Sequence, residues 1–207
     1  MCFLPTATKD STIYIQAIKK LYGDKLHCDV KTILLTKSRY TVEQLTSLIV
    51  DSDIVYVGGG DTLLMLEYWR QSSLSETLKS ANTQGKVLCG SSAGAMCWFE
   101  HGVSNAAMAA GARSDAPLLE YLGLLPGVLC PHYQRDGREE RFRRVLGQRP
   151  GIGIGDCAAL AFVGDRFEVV CSKEQAYAHK VYWRNGGIRK TRYANGYRGF
   201  VRELTGA

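Results

Sequence analysis

Short apolar segments alternate with stretches of helical periodicity along most of the chain, and this alternation restricts the fold more than any other feature. The segments Ile54–Val57 and Lys86–Cys89 are largely apolar, and each runs into glycine. Val42–Ile49 carries apolar residues at helical spacing, and Arg138–Leu146 has one charged and one apolar face. The alternation predicts an α/β fold with a mostly parallel sheet and helices on both of its faces.

Consecutive strands are predicted after Gly151, where the helical spacing stops. Ala158–Val163 and Phe167–Cys171 read as strands joined by the tight-turn signal Gly164–Asp165, and Ala176–Tyr182 follows them. We therefore expect antiparallel strands near the C-terminus.

The chain reads as a single domain over residues 1–207, because no repeat, low-complexity run or linker interrupts it. It opens on the short apolar stretch Cys2–Leu4, whereas an α/β domain of this kind usually opens with a full strand and its loop. We therefore expect the usual first strand to be lacking.

Composition argues against several classes of protein. Hydrophobic residues make up 45% of the chain and charged residues 22%, which is typical of a globular domain rather than a disordered chain or a coiled coil. No apolar run approaches the roughly 20 residues of a membrane-spanning helix, and the N-terminus shows no secretory pattern. The seven cysteines lie mostly in apolar runs without a C-x-x-C pair, which indicates buried thiols in a reducing compartment. We expect a cytoplasmic protein that needs neither a metal nor an organic cofactor.

The net charge of +6 would permit nucleic acid as a partner. From Lys173 to the end, eight basic residues stand against two acidic ones. Such a segment is more often solvated surface than a binding site, and no interleaved aromatic residues of the RNA-binding kind accompany it. We expect neither nucleic acid nor a membrane as a partner. Steep salt dependence of binding would support the opposite interpretation.

The pattern G-x-S-x-G occurs at Gly90–Gly94, after a predicted strand and before a helical stretch, Ala93–Phe99. This is the context of a nucleophile elbow, in which a sharp turn exposes a serine hydroxyl at the start of a helix. Ser92 holds the serine position of the motif, and Ser91 is its competitor at the variable position. The alternative is a Gly/Ser-rich turn that only caps a helix.

Three segments together resemble the peptidase E (aspartyl dipeptidase) family, which also includes cyanophycinase-like members. They are VGGGDT at Val57–Thr62, GSSAGA at Gly90–Ala95 and PHY at Pro131–Tyr133. The resemblance implies a three-layer α/β/α fold of the class I glutamine amidotransferase kind and the activity of a serine peptidase. It implies that Ser92 is the nucleophile.

A serine nucleophile needs a base and an acid that orients the base. Of the four histidines, His132 follows a short predicted strand and matches the Pro-His-aromatic motif of the family. Two acids compete for the third position. Asp156 follows a short apolar strand, where the family carries its triad acid, often glutamate; Asp115 would give the order Ser–Asp–His. We favour Asp156, with Asp115 near the site as a substrate or base contact, or as a helix N-cap.

Two backbone N–H groups are needed to stabilise an oxyanion. The N–H of Ala93 is one candidate, and the resemblance places the second at Gly59 or Gly60. A phosphate-binding loop is the rival interpretation of the glycine triplet, but the Lys-Ser/Thr of a P-loop is missing. Asp61 stands where the family commonly has Asn, so we expect its carboxylate to point away from an oxyanion.

The resemblance also implies an arginine downstream of the histidine that binds the side chain of an N-terminal aspartate. Arg138 is the best match, since a guanidinium pairs with a carboxylate through two hydrogen bonds. The alternative is a solvated charge network on a helix face.

These observations predict a cytoplasmic serine exopeptidase, a dipeptidase that prefers N-terminal Asp, with a small peptide as its substrate. A cyanophycinase-like hydrolase of β-aspartyl peptides and a non-catalytic binding protein on the same fold are the alternatives. The sequence leaves the oligomeric state open, and a homodimer is one alternative.

Overall fold

The computed structural model describes residues 1–104, 118–135 and 137–206. The chain forms two compact units, Met1–Ala95 (unit 1) and Met96–Ala207 (unit 2). Each mixes helices with sheet, so the predicted α/β class is confirmed. None of the helices in the described ranges is long and apolar enough to cross a membrane.

Unit 1 contains a four-stranded sheet in the order β2-β1-β3-β4, in which all neighbours are parallel. Its strands are β1 (Cys2–Leu4), β2 (Lys31–Thr32), β3 (Ile54–Val57) and β4 (Val87–Gly90). The α-helices that connect or follow them are α1 (Thr12–Ile18), α2 (Val42–Val50), α3 (Thr62–Arg70), α4 (Leu74–Thr83) and α5 (Ala93–Met96). A 3-10 turn (Thr6–Thr8) precedes α1, and a π-helical segment (Lys19–Lys25) continues it.

Unit 2 contains a six-stranded mixed sheet in the order β12-β11-β8-β7-β5-β6 and a three-stranded antiparallel sheet in the order β13-β10-β9. Strand β7 is parallel to β5 and β8, and the other neighbours are antiparallel. The strands are β5 (Phe99–Val103), β6 (Leu118–Glu120), β7 (Leu125–Pro131), β8 (Gly151–Ile154), β9 (Ala158–Val163), β10 (Arg166–Cys171), β11 (Ala178–Arg184), β12 (Gly187–Tyr193) and β13 (Arg198–Phe200). The helices among the described residues of this unit are α6 (Arg138–Leu146) and α7 (Val201–Thr205).

Helix α6 connects β7 to β8 and covers one face of them. Its buried residues Arg138, Phe142 and Leu146 are four apart and therefore share one face of the helix. Phe142 and Leu146 belong to the same buried cluster as Val128 of β7. Gly151 permits this close packing, because a Cβ there would lie 2.7 Å from Phe142 Cζ and 2.8 Å from Leu146 Cδ1.

The limits predicted from the sequence agree with the observed ones for several elements and differ for others. Strands β3 and β9 and helix α6 begin and end where predicted. The helix predicted for Ala93–Phe99 is wrong in its second half, because α5 stops at Met96 and Phe99 begins β5, which pairs with β6 and β7. Cys2–Leu4 forms a strand that pairs on both sides, with β2 and with β3.

We predict that Gly151→Ala destabilises the protein, because the added methyl group must displace Phe142 or Leu146 in a closely packed core. Such overpacking costs about 1–3 kcal/mol of unfolding free energy, and a chain of this size loses about 2–4 °C in Tm for each kcal/mol. The control is Gly187→Ala in β12, where nothing lies within 4 Å of the new Cβ. Thermal unfolding of both variants measures the difference, and equal Tm values would contradict this account of the packing.

Candidate active site

The G-x-S-x-G motif lies between strand β4 and helix α5 of unit 1, as the elbow interpretation requires. Ser92 has φ +53°, in the left-handed region that non-glycine residues rarely adopt. The chain then enters α5 at once, with the N–H of Ala95 donating to the Ser92 carbonyl over 3.0 Å. The serine of the motif is therefore the residue that carries the strain of the turn.

The two glycines of the motif are required by close backbone approaches. A Cβ on Gly90 would lie 2.2 Å from the Gly94 carbonyl oxygen, and a Cβ on Gly94 would lie 2.0 Å from the Val57 carbonyl oxygen. Both distances are shorter than any side chain tolerates. The end of β3 therefore packs directly against the elbow, and only glycine fits at either end of the motif.

The glycine triplet after β3 lies beside the elbow. A Cβ on Gly59 would lie 3.1 Å from Ser92 Cβ, so this backbone runs next to the serine. Gly60 has φ +143° and packs on Ala7, whose carbonyl accepts the Asp61 N–H over 2.7 Å. The Asp61 carboxylate accepts the N–H groups of the first turn of α3, and so acts as a helix cap.

Ser91, the competing serine, is engaged with two tyrosines. The Tyr56 hydroxyl donates to Ser91 Oγ over 3.1 Å, and the Tyr14 hydroxyl lies 3.5 Å from the same atom. Burial raises the pKa of Tyr56 well above its usual range, so the phenol stays protonated and remains a donor. These contacts hold the Ser91 side chain to the tyrosines.

In unit 2, the ends of two adjacent parallel strands bring His132 and Asp156 together. The register of β7 and β8 pairs Pro131 with Ile154, so the residues after each strand emerge at the same edge. His132 Nδ1 lies 2.5 Å from Asp156 Oδ1 in a short hydrogen bond. His132 also has a left-handed backbone, with φ +55°. Of the two acids that the sequence offered, Asp156 hydrogen-bonds to the histidine, whereas Asp115 lies outside the described residues.

Two further residues hold the aspartate. Arg135 Nε donates to Asp156 Oδ2 over 2.8 Å, and the Asp156 N–H donates to Gln134 Oε1 over 3.0 Å. Burial raises the pKa of Asp156, but the hydrogen bonds and positive charges of Arg135 and His132 outweigh it, so the pKa lies below its usual range. Sequence reasoning missed both residues. The only available signal was their position within three residues of His132.

Arg138, the candidate for binding the aspartate side chain, is buried. Its side chain is only 7% exposed in α6, and it donates to the Val103 carbonyl over 3.3 Å. Of the other three histidines, His27 precedes β2 in unit 1, His101 is in β5, and His179 is buried in β11 against the rings of Tyr133 and Tyr177. Burial, and then the charge of Lys190, lower the pKa of His179.

No His, Cys, Asp or Glu side chains within residues 1–104, 118–135 and 137–206 form a group of three or more that could hold a metal ion. The described residues offer a serine with a strained backbone, a histidine that is hydrogen-bonded to a carboxylate, and backbone N–H groups beside the serine.

Comparison with known proteins agrees with this kind of chemistry. The model of peptidase family S51 matches residues 1–170. The "uncharacterized peptidase YgaJ" of Bacillus subtilis is 37% identical over 190 residues, which cover 87% of this chain and 77% of that protein. Peptidase E of Streptomyces coelicolor is 30% identical over 182 residues, which cover 80% and 69% of the two chains.

A solved structure of a peptidase from an acI-B1 actinobacterium has a similar fold. Its TM-score is 0.74 at 21% identity, covering 97% of this chain and 82% of that one. The fold and the sequence relatives together define a serine peptidase. The chain belongs to peptidase family S51.

We predict that Asp156→Asn changes how stability depends on pH. Because the pKa of Asp156 is lowered in the folded state, its ionised form stabilises the fold at neutral pH, and this contribution is lost as the pH falls below the ordinary value of 3.8. For a partly exposed pair we expect about 1 kcal/mol or less, which corresponds to about 2–4 °C in Tm.

The measurement is the Tm of both proteins between pH 7 and pH 3. The difference should be largest at neutral pH and shrink in acid. Asp165→Asn in the exposed β9–β10 turn is the control, because the Asp165 side chain is 78% exposed. A Tm difference for D156N that stays constant with pH would contradict the assignment.

Proposed function

We propose that this peptidase is a serine exopeptidase that hydrolyses short peptides, with Ser92 as nucleophile, His132 as general base and Asp156 as the acid that orients the base. The left-handed conformation of Ser92 between β4 and α5 carries the proposal, because a strained turn at this point serves to expose a nucleophile. The hydrogen bond between His132 and Asp156 supports the choice of base and acid.

The proposed mechanism follows from the hydrogen bond between Asp156 and Nδ1 of His132, which leaves Nε2 for the substrate side. With the Nδ1 proton donated to Asp156 Oδ1, Nε2 is the nitrogen that takes the proton of Ser92 as its Oγ attacks the scissile carbonyl. The N–H groups of Ala93 and of Gly59 or Gly60 stabilise the tetrahedral oxyanion. Nε2 then gives the proton to the leaving amine, and water, activated by the same nitrogen, releases the acyl group from Ser92.

The choice of Asp156 over Asp115 rests on an observed bond. The Asp156 carboxylate accepts from both His132 and Arg135, and its pKa is held low, so it stays ionised while His132 gains and loses a proton. A charged acceptor fixes the tautomer and stabilises the imidazolium that forms during attack. We propose Asp115 only as a contact near the substrate, as the resemblance implies.

The preferred substrate that we propose is a dipeptide with N-terminal Asp. Arg138 is the residue that the family resemblance assigns to the aspartate side chain, but its guanidinium is buried and bonded to Val103. To bind a substrate, the guanidinium would have to be reached by the substrate in this buried position or move out of it. The preference and the role of Arg138 therefore need separate tests.

We propose the cytoplasm as the place of action. All seven cysteines are free thiols, and burial raises the pKa of Cys89 to about 11, which keeps that thiol protonated and unreactive. Unpaired thiols in this number fit a reducing compartment.

We predict that Ser92→Ala abolishes hydrolysis of every peptide that the wild type cleaves, in a panel of Asp-X, Glu-X, Asn-X, Ala-X, Leu-X and β-Asp-X. Loss of the nucleophile of a serine triad lowers kcat by about 10⁶-fold. The matched control is Ser91→Ala, which changes the adjacent serine and should retain most of the activity.

Cleavage confined to Asp-X would support the aspartate preference, and cleavage of β-Asp-X would favour a cyanophycinase-like activity. Activity retained in S92A, or lost only in S91A, would overturn the choice of nucleophile. No cleavage by the wild type would favour a longer substrate or a binding role.

We predict that Arg138→Met lowers the stability of the protein and reduces hydrolysis of all substrates alike. Methionine keeps the apolar stem but leaves the Val103 carbonyl without its donor, which costs about 1–3 kcal/mol. Thermal unfolding and the same peptide panel measure the two effects. A loss confined to Asp-X at unchanged Tm would instead show that Arg138 selects the substrate.

A further inference from the structure

One short turn of unit 2 supplies two hydrogen bonds to the Asp156 carboxyl group, from His132 and from Arg135. The Arg135 N–H donates to the His132 carbonyl over 3.0 Å, and the Arg138 N–H donates to the Arg135 carbonyl over 2.9 Å. The backbone of Arg135 is therefore fixed both to the histidine and to the start of α6. From this position its side chain donates to Asp156 Oδ2 while His132 bonds to Oδ1, so the two oxygens are held from opposite ends of one turn.

We propose that Arg135 is a positioning residue, which fixes the plane of the Asp156 carboxylate so that its other oxygen keeps His132 in the orientation needed for proton transfer. The inference rests on the proposed function, because it assigns the His132–Asp156 pair to catalysis. It goes beyond that proposal by adding a residue that contacts neither the substrate nor the nucleophile.

The exposure of His132 and Asp156 explains why the aspartate needs a second hydrogen-bond partner. The Asp156 side chain is 33% exposed and the His132 side chain 30%, so water can reach both partners of the hydrogen bond. A partly solvated carboxylate that is held by one oxygen alone can turn about its terminal bond and exchange His132 for water. Arg135 occupies the second oxygen, and the Gln134 side chain holds the Asp156 N–H, which leaves the carboxyl group little freedom.

The same exposure argues that the arginine serves orientation rather than folding. The Arg135 side chain is 62% exposed, and exposed ion pairs contribute little to the stability of a fold. Arg138, three residues later, is the opposite case, since it is buried and bonded to a backbone carbonyl. Loss of Arg135 should therefore change catalysis far more than it changes Tm.

The first test is Arg135→Gln, measured by kcat and KM on every peptide that the wild type cleaves. We expect kcat to fall about tenfold at nearly unchanged KM, by the same factor for acidic and neutral peptides, because small misplacements of a catalytic group cost up to about 10² in rate. Arg135→Lys, which keeps the charge, should recover part of the loss. The control is Arg149→Gln, which removes the same charge from an exposed position in unit 2 and should change neither constant.

The titration of Asp156 gives a readout that a merely structural role would not change. Arg135 is one of the two residues that lower the pKa of Asp156, and His132 is the other. Without the arginine, Asp156 protonates at higher pH, so the pH at which its carboxyl carbon titrates in NMR spectra should rise in R135Q and stay in place in R149Q. An unchanged titration of Asp156, with kcat unchanged, overturns the proposal. A rise in KM limited to Asp-X and Glu-X also overturns it, since Arg135 would then bind the substrate.

A spectroscopic measurement separates this inference from the proposed function. The proton between His132 Nδ1 and Asp156 should give a low-field NMR resonance, identified by its loss in D156N. We expect the resonance to move upfield or broaden in R135Q but not in R149Q. The proposed function would be refuted if the wild type cleaved no peptide or if S92A kept its activity. In either case the resonance still tests whether Arg135 positions Asp156. An unchanged resonance would refute that role.

Discussion

The carbonyl oxygen of Val57, at the end of β3, is the constraint on which the geometry of the elbow depends. It accepts the Ser91 N–H over 3.2 Å, and it lies 2.0 Å from where a Cβ on Gly94 would be. The first contact fixes where the turn begins, and the second excludes every residue but glycine from position 94, the second residue of α5. With both ends of the turn held, Ser92 is left to absorb the change of direction, which gives its positive φ.

Backbone strain in the described chain also occurs at the proposed base and directly after the proposed acid. His132 has φ +55°, and Cys157, which follows Asp156, has φ +64°. Each comes soon after the end of a parallel strand, where the chain turns away from the sheet. Such conformations persist only where the surroundings hold them, and here the β7–β8 pairing and the buried face of α6 do so.

Much of this arrangement could be predicted from the sequence, because its signals are local. Strand β3 is an apolar run ended by glycines, α6 has one apolar face, and His132 follows a predicted strand. The start of β5 could not be predicted, because a short apolar stretch fits a helix or a strand equally well until its partners are known. Arg135 could not be predicted either, since its partner lies 21 residues away in sequence. The burial of Arg138 did have a signal: its spacing from Phe142 and Leu146 places it on the core face of α6.

The proposed base and acid belong to one contiguous β–α–β segment, from Leu125 to Asp156. Strand pairing sets their register, and α6 is held by its contacts with the sheet rather than by the turn that follows it. The loop between Leu146 and Pro150 can therefore gain or lose residues in evolution without disturbing the His132–Asp156 pair, whereas Pro150 itself accepts the Val128 N–H. A single residue inserted between Val128 and His132 would turn the imidazole to the other face of the sheet, because side chains alternate along a strand. In this segment, the number of residues can vary in the loop after α6, but the number between Val128 and His132 is fixed.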